Sequence, residues 1–262
     1  MNADRNRHVR RGCAHILMMQ NKILNDPEFE LKEVTDWSFF QLPVIEKSGI
    51  FHGFCTGSLP SNLLHEETRR HFLDVFSLND LVVMNQEHGD DVHVIGNGEK
   101  PPSGDGLIIL EKKVAGIIKT ADCLPIVICD ALYPMVSIVH AGWRGTKKKI
   151  VMKAILAMEA LGSKRDSMIA LLGPSIGPCC YEVKGDIYAI FQDNGFPGHI
   201  FHNHNNSLFL DLRKANTWML EAGGIKKIYA LNMCTHCNDG LFHSFRRGDA
   251  GKRQINFVYL EG

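Results

Sequence analysis

The sequence predicts one α/β (α+β) domain over residues 36–262, preceded by an N-terminal extension over residues 1–35. Three observations lead there. A chain of 262 residues with 45% hydrophobic composition is long enough to bury a sizeable core. Ile- and Val-rich runs of strand length crowd residues 107–142. Stretches with apolar residues at helical spacing follow them, so helices are expected to pack over a mixed sheet.

The elements can be justified in order. The opening "MNADRNRHVRRGCAHILMMQNKILNDPEFE" sets basic residues before a short apolar patch. That patch is too short for a secretory signal and lacks a small-residue cleavage site, so a loosely docked extension of a cytoplasmic protein is expected. "WSFFQLPVIEKSGIFHGFCTG" and "LNDLVVMNQEHGDDVHVIG" read as short strands, joined by the helical spacing of "SNLLHEETRRHFLDVF". The Gly/Pro-rich "GNGEKPPSGDG" is a loop. "LIILEKKVAGIIKTADCLPIVICDALYPMVSIVHAG" then holds three or four strands buried on at least one face. "TKKKIVMKAILAMEALG" is a helix with Gly162 as its stop, "MIALLGPSIGP" a strand and turn, and "YEVKGDIYAIFQDNG" and "LDLRKANTWMLEAGG" two further helices. "HNHNN" reads as a polar surface loop, and the chain closes with a strand, a Cys-containing loop and a last strand.

Composition narrows the partners. Acidic and basic residues balance at 29 each, so neither a nucleic acid nor a membrane surface is expected, and small-molecule ligands fit best. No apolar run approaches the roughly 18 residues of a membrane span. Eight cysteines are too sparse for a disulfide scaffold, so reduced thiols or metal ligands are the expectation.

Cys123 and His140 sit at the ends of two apolar runs, where neighbouring strands could bring them together. His88, followed by glycine in "NQEHG", supplies a second imidazole. Two imidazoles and one thiolate make a tetrahedral zinc site with a fourth position for water or substrate, although the same ligands suit copper. Cys179, Cys180, Cys234, His236 and Cys237 form a rival set, its cysteines readable as structural, metal-binding or redox, with the adjacency of Cys179 and Cys180 counting against a shared ion. Arg144, Arg246 and Arg247 lie beside glycine turns and suit phosphate, with surface ion pairing as the plainer role. Asp105 and Asp122 could orient a ligand histidine or move protons, or serve turn geometry.

The strings "NQEHG", "TADCLPIVICD", "VHAGWRG", "LGPSIGPCCYEV" and "CTHCNDGLFHSFRR" follow one another in an order that resembles the YfiH-like laccase-domain family over roughly residues 37–260. The resemblance implies a layered sandwich, with mixed sheets inside and helices outside, related to the toxins of the cytotoxic necrotizing factor type. It implies a metal centre, usually zinc and otherwise copper, held by His88, Cys123 and His140. It further implies a metal-dependent purine nucleoside phosphorylase acting on adenosine, inosine or methylthioadenosine with phosphate, with adenosine deamination as a second activity. On that reading Arg144, Arg246 and Arg247 hold phosphate, while Asp105 and Asp122 orient ligands or transfer protons. A copper-dependent polyphenol oxidase and a hydrolase using Cys123 activated by His140 stand as alternatives. Two departures from the family pattern, the shortened "FHGFCTGSLPSNLLHEETRRHF" and Glu87 in place of a common valine, bear on substrate preference.

Overall fold

The computed structural model describes residues 29–63, 65–96 and 103–262. Strands β1 (Glu30–Val34) and β2 (Trp37–Gln41), the one-turn helix α1 (Pro43–Glu46) and β3 (Ile50–Cys55) come first. They are followed by α2 (Glu66–Phe76), β4 (Asp80–Val83), β5 (Val92–Ile95) and β6 (Gly106–Ile109). The central run forms β7 (Val114–Thr120), β8 (Leu124–Asp130) and β9 (Met135–Ala141), then α3 (Trp143–Lys147) and α4 (Ile150–Ala160). Next come β10 (Met168–Leu172), β11 (Glu182–Val183), α5 (Gly185–Asp193), β12 (Phe201–His204) and β13 (Ser207–Leu210). The last elements are α6 (Leu212–Ala222), β14 (Lys227–Ala230) and β15 (Gln254–Leu260).

Two six-stranded mixed sheets face one another, ordered β1-β2-β3-β15-β7-β4 and β14-β10-β8-β9-β6-β5, and a small sheet β11-β13-β12 stands beside them. Strand alternation explains why the central runs are apolar without a break. In β8, Val127 and Cys129 point between the sheets with Val136 and Ile138 of β9 and Ile118 of β7. The intervening Leu124, Ile126 and Ile128 point outward, onto Ile150, Ala154 and Ile155 of α4 and Leu212 and Ala215 of α6. The first sheet likewise turns Phe39, Ile117, Ile255 and Phe257 toward Phe72 of α2. The architecture is therefore helix, sheet, sheet, helix. At Gly116 a Cβ would stand 3.2 Å from Ile109 and 3.3 Å from Ile138, so glycine there lets the two sheets close.

Three expectations change. The structure begins within the stretch assigned to the extension: Glu30–Val34 pairs antiparallel with Trp37–Gln41, adding an edge strand to the first sheet, while residues 1–28 of that extension lie outside the described residues. The single helix expected over 146–162 is two, because Lys149 takes a left-handed conformation (φ 61°) between α3 and α4. The "HNHNN" string is a hairpin, since Asn205 and Asn206 both adopt positive φ and form the two-residue turn joining β12 to β13. The loop read over 96–106 falls largely on residues 97–102, outside the described ones. Among the described residues no helix is long and apolar enough to cross a membrane.

Candidate active site

The site lies where β7 leaves the first sheet and β8 enters the second. Only Ala121, Asp122 and Cys123 separate these strands, and Asp122 takes the turn at φ 88°. β8 and β9 then pair antiparallel with Pro125 opposite His140, which sets His140 beside the Cys123 lip. His88 arrives from the loop between β4 and β5, itself left-handed at φ 59°. Gln86 anchors this loop, accepting from the Lys119 amide (2.7 Å) and donating to the Lys119 carbonyl (2.8 Å) as a strand would.

These placements bring one ligand atom each of His88, Cys123 and His140 within 4.8 Å of one another. The two imidazoles meet edge to face, with centroids 4.9 Å apart. Asp105, fully buried just before β6, organises them. Its Oδ1 lies 2.6 Å from Nδ1 of His140 and accepts the His88 amide (3.1 Å), while Oδ2 accepts the amides of Gly89 (2.5 Å) and Glu87 (3.2 Å). Because Nδ1 of His140 is engaged by a carboxylate, its Nε2 is the nitrogen presented to a metal. Gly142 keeps the approach open: a Cβ there would stand 2.9 Å from Sγ of Cys123. Two nitrogens and a sulfur around a common point, backed by a buried carboxylate, fit zinc with one coordination position left over.

The electrostatics of the triad agree. Burial opposes ionisation of Cys123, but the charge and hydrogen bonding of His140, then of His88, outweigh it and bring the thiol down to about 6. Burial also opposes a charged His140, yet Cys123 and Asp105 hold it up at about 9. The Asp105 carboxyl stays below its usual range: its burial is overcome by the His140 contact and the backbone amides. Between those values the metal-free triad holds a thiolate beside an imidazolium; a metal cation would take the place of the imidazolium proton and keep the thiolate as its anionic partner.

Around the triad opens a cleft of about 660 Å³. Arg144 and Arg246 line it; Arg144 is exposed, its guanidinium stacked 4.5 Å from the Trp143 ring. Arg246 stands 5.3 Å from the Tyr181 ring and donates to the Glu182 carbonyl (3.0 Å). Arg247 does not reach the cleft, which corrects its assignment to phosphate. Its guanidinium is used up within its own loop, donating to the carbonyls of Thr235 (3.0 Å), His236 (3.0 Å) and Phe242 (2.5 Å) and to Asp249. Arg247→Ala should therefore lower stability by roughly 2–3 kcal/mol, because buried carbonyls lose a charged donor, without raising KM for any anionic substrate. Denaturant unfolding and steady-state kinetics of this variant would check both halves.

Asp122 borders the cleft, but its carboxylate accepts from Thr235 Oγ1 (2.6 Å), Ser244 Oγ (3.0 Å) and the Arg246 amide (2.7 Å). It thus staples the C-terminal loop to the Cys123 turn, and none of these three contacts is to a triad residue. Sequence reasoning missed Lys119, Arg253, Tyr181 and Phe245, all of which line the cleft. Lys119, four residues before Cys123, was the most findable; Arg253 and Phe245 are brought in by a loop whose path no periodicity reveals. Asp122 is the one acidic side chain among the described lining residues, so the cleft is cationic.

Known proteins align with this chain along most of its length. A family model described as multi-copper polyphenol oxidoreductase laccase matches residues 60–261. A purine nucleoside phosphorylase of Aquifex aeolicus is 35% identical over 176 residues, covering 67% of this chain and 80% of that protein. The human purine nucleoside phosphorylase LACC1 is 31% identical over 194 residues, 71% of this chain, which spans only 45% of the human protein's length. Adenosine deaminase RL5, from an unknown prokaryotic organism, is 32% identical over 185 residues, covering 65% of this chain and 71% of RL5. In three dimensions, the crystal structure of Bacillus licheniformis hypothetical protein YfiH superposes with a TM-score of 0.79 at 25% identity, covering 90% of this chain and all of that one (100%).

Proposed function

The chain belongs to the YfiH-like laccase-domain family, and from that premise we propose that it is a zinc-dependent purine nucleoside phosphorylase with adenosine deamination as a second activity. The observation that carries the reading is the His88, Cys123 and His140 triad opening into a cationic cleft. His88, Cys123 and His140 would hold the ion, which when bound supplies Lewis acidity and lowers the pKa of water toward about 7.

The protein's own groups do the rest. Asp105 accepts from Nδ1 of His140 and from the His88 amide, so one carboxylate orients the His140 ring and fixes the backbone that carries His88. In phosphorolysis a phosphate oxygen bonds to ribose C1′ as the bond to the base nitrogen breaks, giving ribose 1-phosphate and free base. The cleft must therefore hold a dianion against a neutral sugar. Arg144 and Arg246 suit this task, because guanidinium forks bind phosphate through paired hydrogen bonds. Tyr181 and Phe245, the latter 66% exposed at the mouth, offer ring faces for a purine. In deamination water adds at C6 and ammonia leaves, and no phosphate is needed.

The two activities can be separated. Arg144→Ala should raise KM for phosphate about tenfold or more while leaving adenosine deamination within twofold, since its guanidinium stacks on the Trp143 ring and, among the described residues, donates no hydrogen bond to the triad. The deciding experiment incubates the zinc-loaded protein with adenosine, with and without phosphate, and resolves adenine, ribose 1-phosphate and inosine. Phosphate-dependent adenine release supports the phosphorylase; inosine alone would reduce the reading to a deaminase, and neither product would remove it.

One observation favours a second reading. In the metal-free protein the Cys123, His140 and Asp105 chain has the order of an activated cysteine nucleophile. Alkylation of Cys123 after chelation should then stay fast down to about pH 6 and slow tenfold per pH unit below it, as the thiolate takes up its proton. Hydrolytic turnover surviving chelation would favour this reading; turnover that vanishes with the metal would exclude it.

A further inference from the structure

The cleft around the triad carries four cationic side chains, Lys119, Arg144, Arg246 and Arg253, and one acid, Asp122, which is committed to Thr235, Ser244 and the Arg246 amide. A phosphate dianion between Arg144 and Arg246 is matched charge for charge, and Lys119 and Arg253 are then left over. We propose that these two form a second anion subsite, which takes a phosphate ester carried by the nucleoside, so that purine nucleoside 5′-monophosphates bind in this cleft. The subsite rests on the nucleoside reading above and adds a class of ligand to it.

Strand register brings the two residues together. Lys119 stands near the end of β7, opposite Ile255 of β15 in an antiparallel ladder. Arg253 lies two residues before Ile255, which sets it diagonal to Lys119, and both line the cleft. Diagonal neighbours of this kind are about 7–8 Å apart at the backbone, a gap that two long cationic side chains can close around one phosphate. Gly251, left-handed at φ 79°, turns the chain just ahead of Arg253, and no atom stands within 4 Å of the place of a Cβ there, so the approach is open. On the other flank Gln86 holds the amide and the carbonyl of Lys119, which fixes the base of its side chain.

Neither cation is spent elsewhere. Both are half-buried, and among the described residues neither has an ion-pair partner, whereas Arg69, Arg165 and Arg247 each face a carboxylate. Arg253 donates from Nη1 to the carbonyl of its neighbour Lys252 (2.6 Å), which leaves Nη2 and Nε for a ligand. A partly desolvated cation without a partner gains most from an arriving anion. Lys119 is four residues from Cys123, at most roughly 13 Å along an extended chain, so an ester held at Lys119 and Arg253 keeps its sugar within reach of the triad. Arg144 follows β9 of the second sheet and Arg246 leans on Tyr181, so the two cationic pairs come from different walls of the cleft. Binding at this subsite forms and breaks no covalent bond.

Titration calorimetry on the zinc-loaded full chain, in phosphate-free buffer, compares adenosine with adenosine 5′-monophosphate. The monophosphate should bind about tenfold tighter or more, and that ratio should shrink as salt is raised. In the Lys119→Gln/Arg253→Gln protein the ratio should fall to within about twofold, whereas in Arg144→Ala it should persist. Equal affinities in the unaltered protein, or a ratio that survives the double substitution, would overturn the proposal. So would a ratio lost in Arg144→Ala instead. A free phosphate ion at this subsite would also count against it: adenosine phosphorolysis would then rise with the square of phosphate concentration, and the double substitution would make that dependence linear. Phosphorolysis of adenosine with no preference for the monophosphate would remove the subsite and leave the phosphorylase, while binding of neither compound would remove both.

Discussion

Cys123→Ala is expected to abolish turnover of adenosine, by at least about a thousandfold in kcat/KM, and to remove the metal held at the triad. Cys123 is the one sulfur of the three ligands, and its thiolate carries the negative charge that partners the cation. Alanine leaves two imidazoles, one of them exposed, with no anionic ligand, and such a pair holds zinc weakly. Metal analysis on the same preparation used for kinetics is the check. A Cys123→Ala protein that keeps full triad occupancy would refute the ligand assignment. One that loses metal yet keeps turnover would refute the metal's role in the reaction.

Asp105→Asn should cost about 10–100-fold in metal affinity and a comparable factor in kcat while leaving the fold intact. The carboxylate accepts four contacts, from His140 Nδ1 and the amides of Glu87, His88 and Gly89. An amide of the same shape has one oxygen to accept and an NH2 that must face a donor, so at least one of these contacts becomes repulsive. Either the His88 loop moves or His140 changes its tautomer, and both outcomes degrade the ligand set. Competition with a chelator of known affinity measures the first effect and steady-state kinetics the second. Unchanged zinc affinity in Asp105→Asn would show that the buried carboxylate serves folding alone.

The sequence carried much of the fold because its signals are local. Apolar residues on both faces of β7, β8 and β9 announce strands buried between two layers, as the split of Val127 and Ile128 between opposite cores bears out. The helical spacing that begins at Ile150 survives as α4. Misreadings arose where one residue's backbone decided the outcome: Lys149 in a left-handed conformation divides a helix, and Asn205 with Asn206 turns a polar string into a hairpin. The edge strand Glu30–Val34 was missed because β1 is held by its ladder to β2 and exposes most of its side chains, leaving little apolar pattern to read.

The candidate site divides in the same way. Residue chemistry alone singled out His88, Cys123 and His140, since soft and imidazole ligands beside glycine turns are unusual at the ends of buried strands. Arg246 and Arg247 are neighbours with the same side chain, yet one lines the cleft and the other braces its own loop. Asp105 and Asp122 were equal candidates, and only the first reaches a triad histidine. The sequence by itself therefore determined which chemistries the chain possesses and the layers in which it folds, because composition and periodicity are properties of short segments. The tertiary structure alone decided which of those groups meet, because a contact between residues 105 and 140, or 122 and 244, depends on the path of every strand between them.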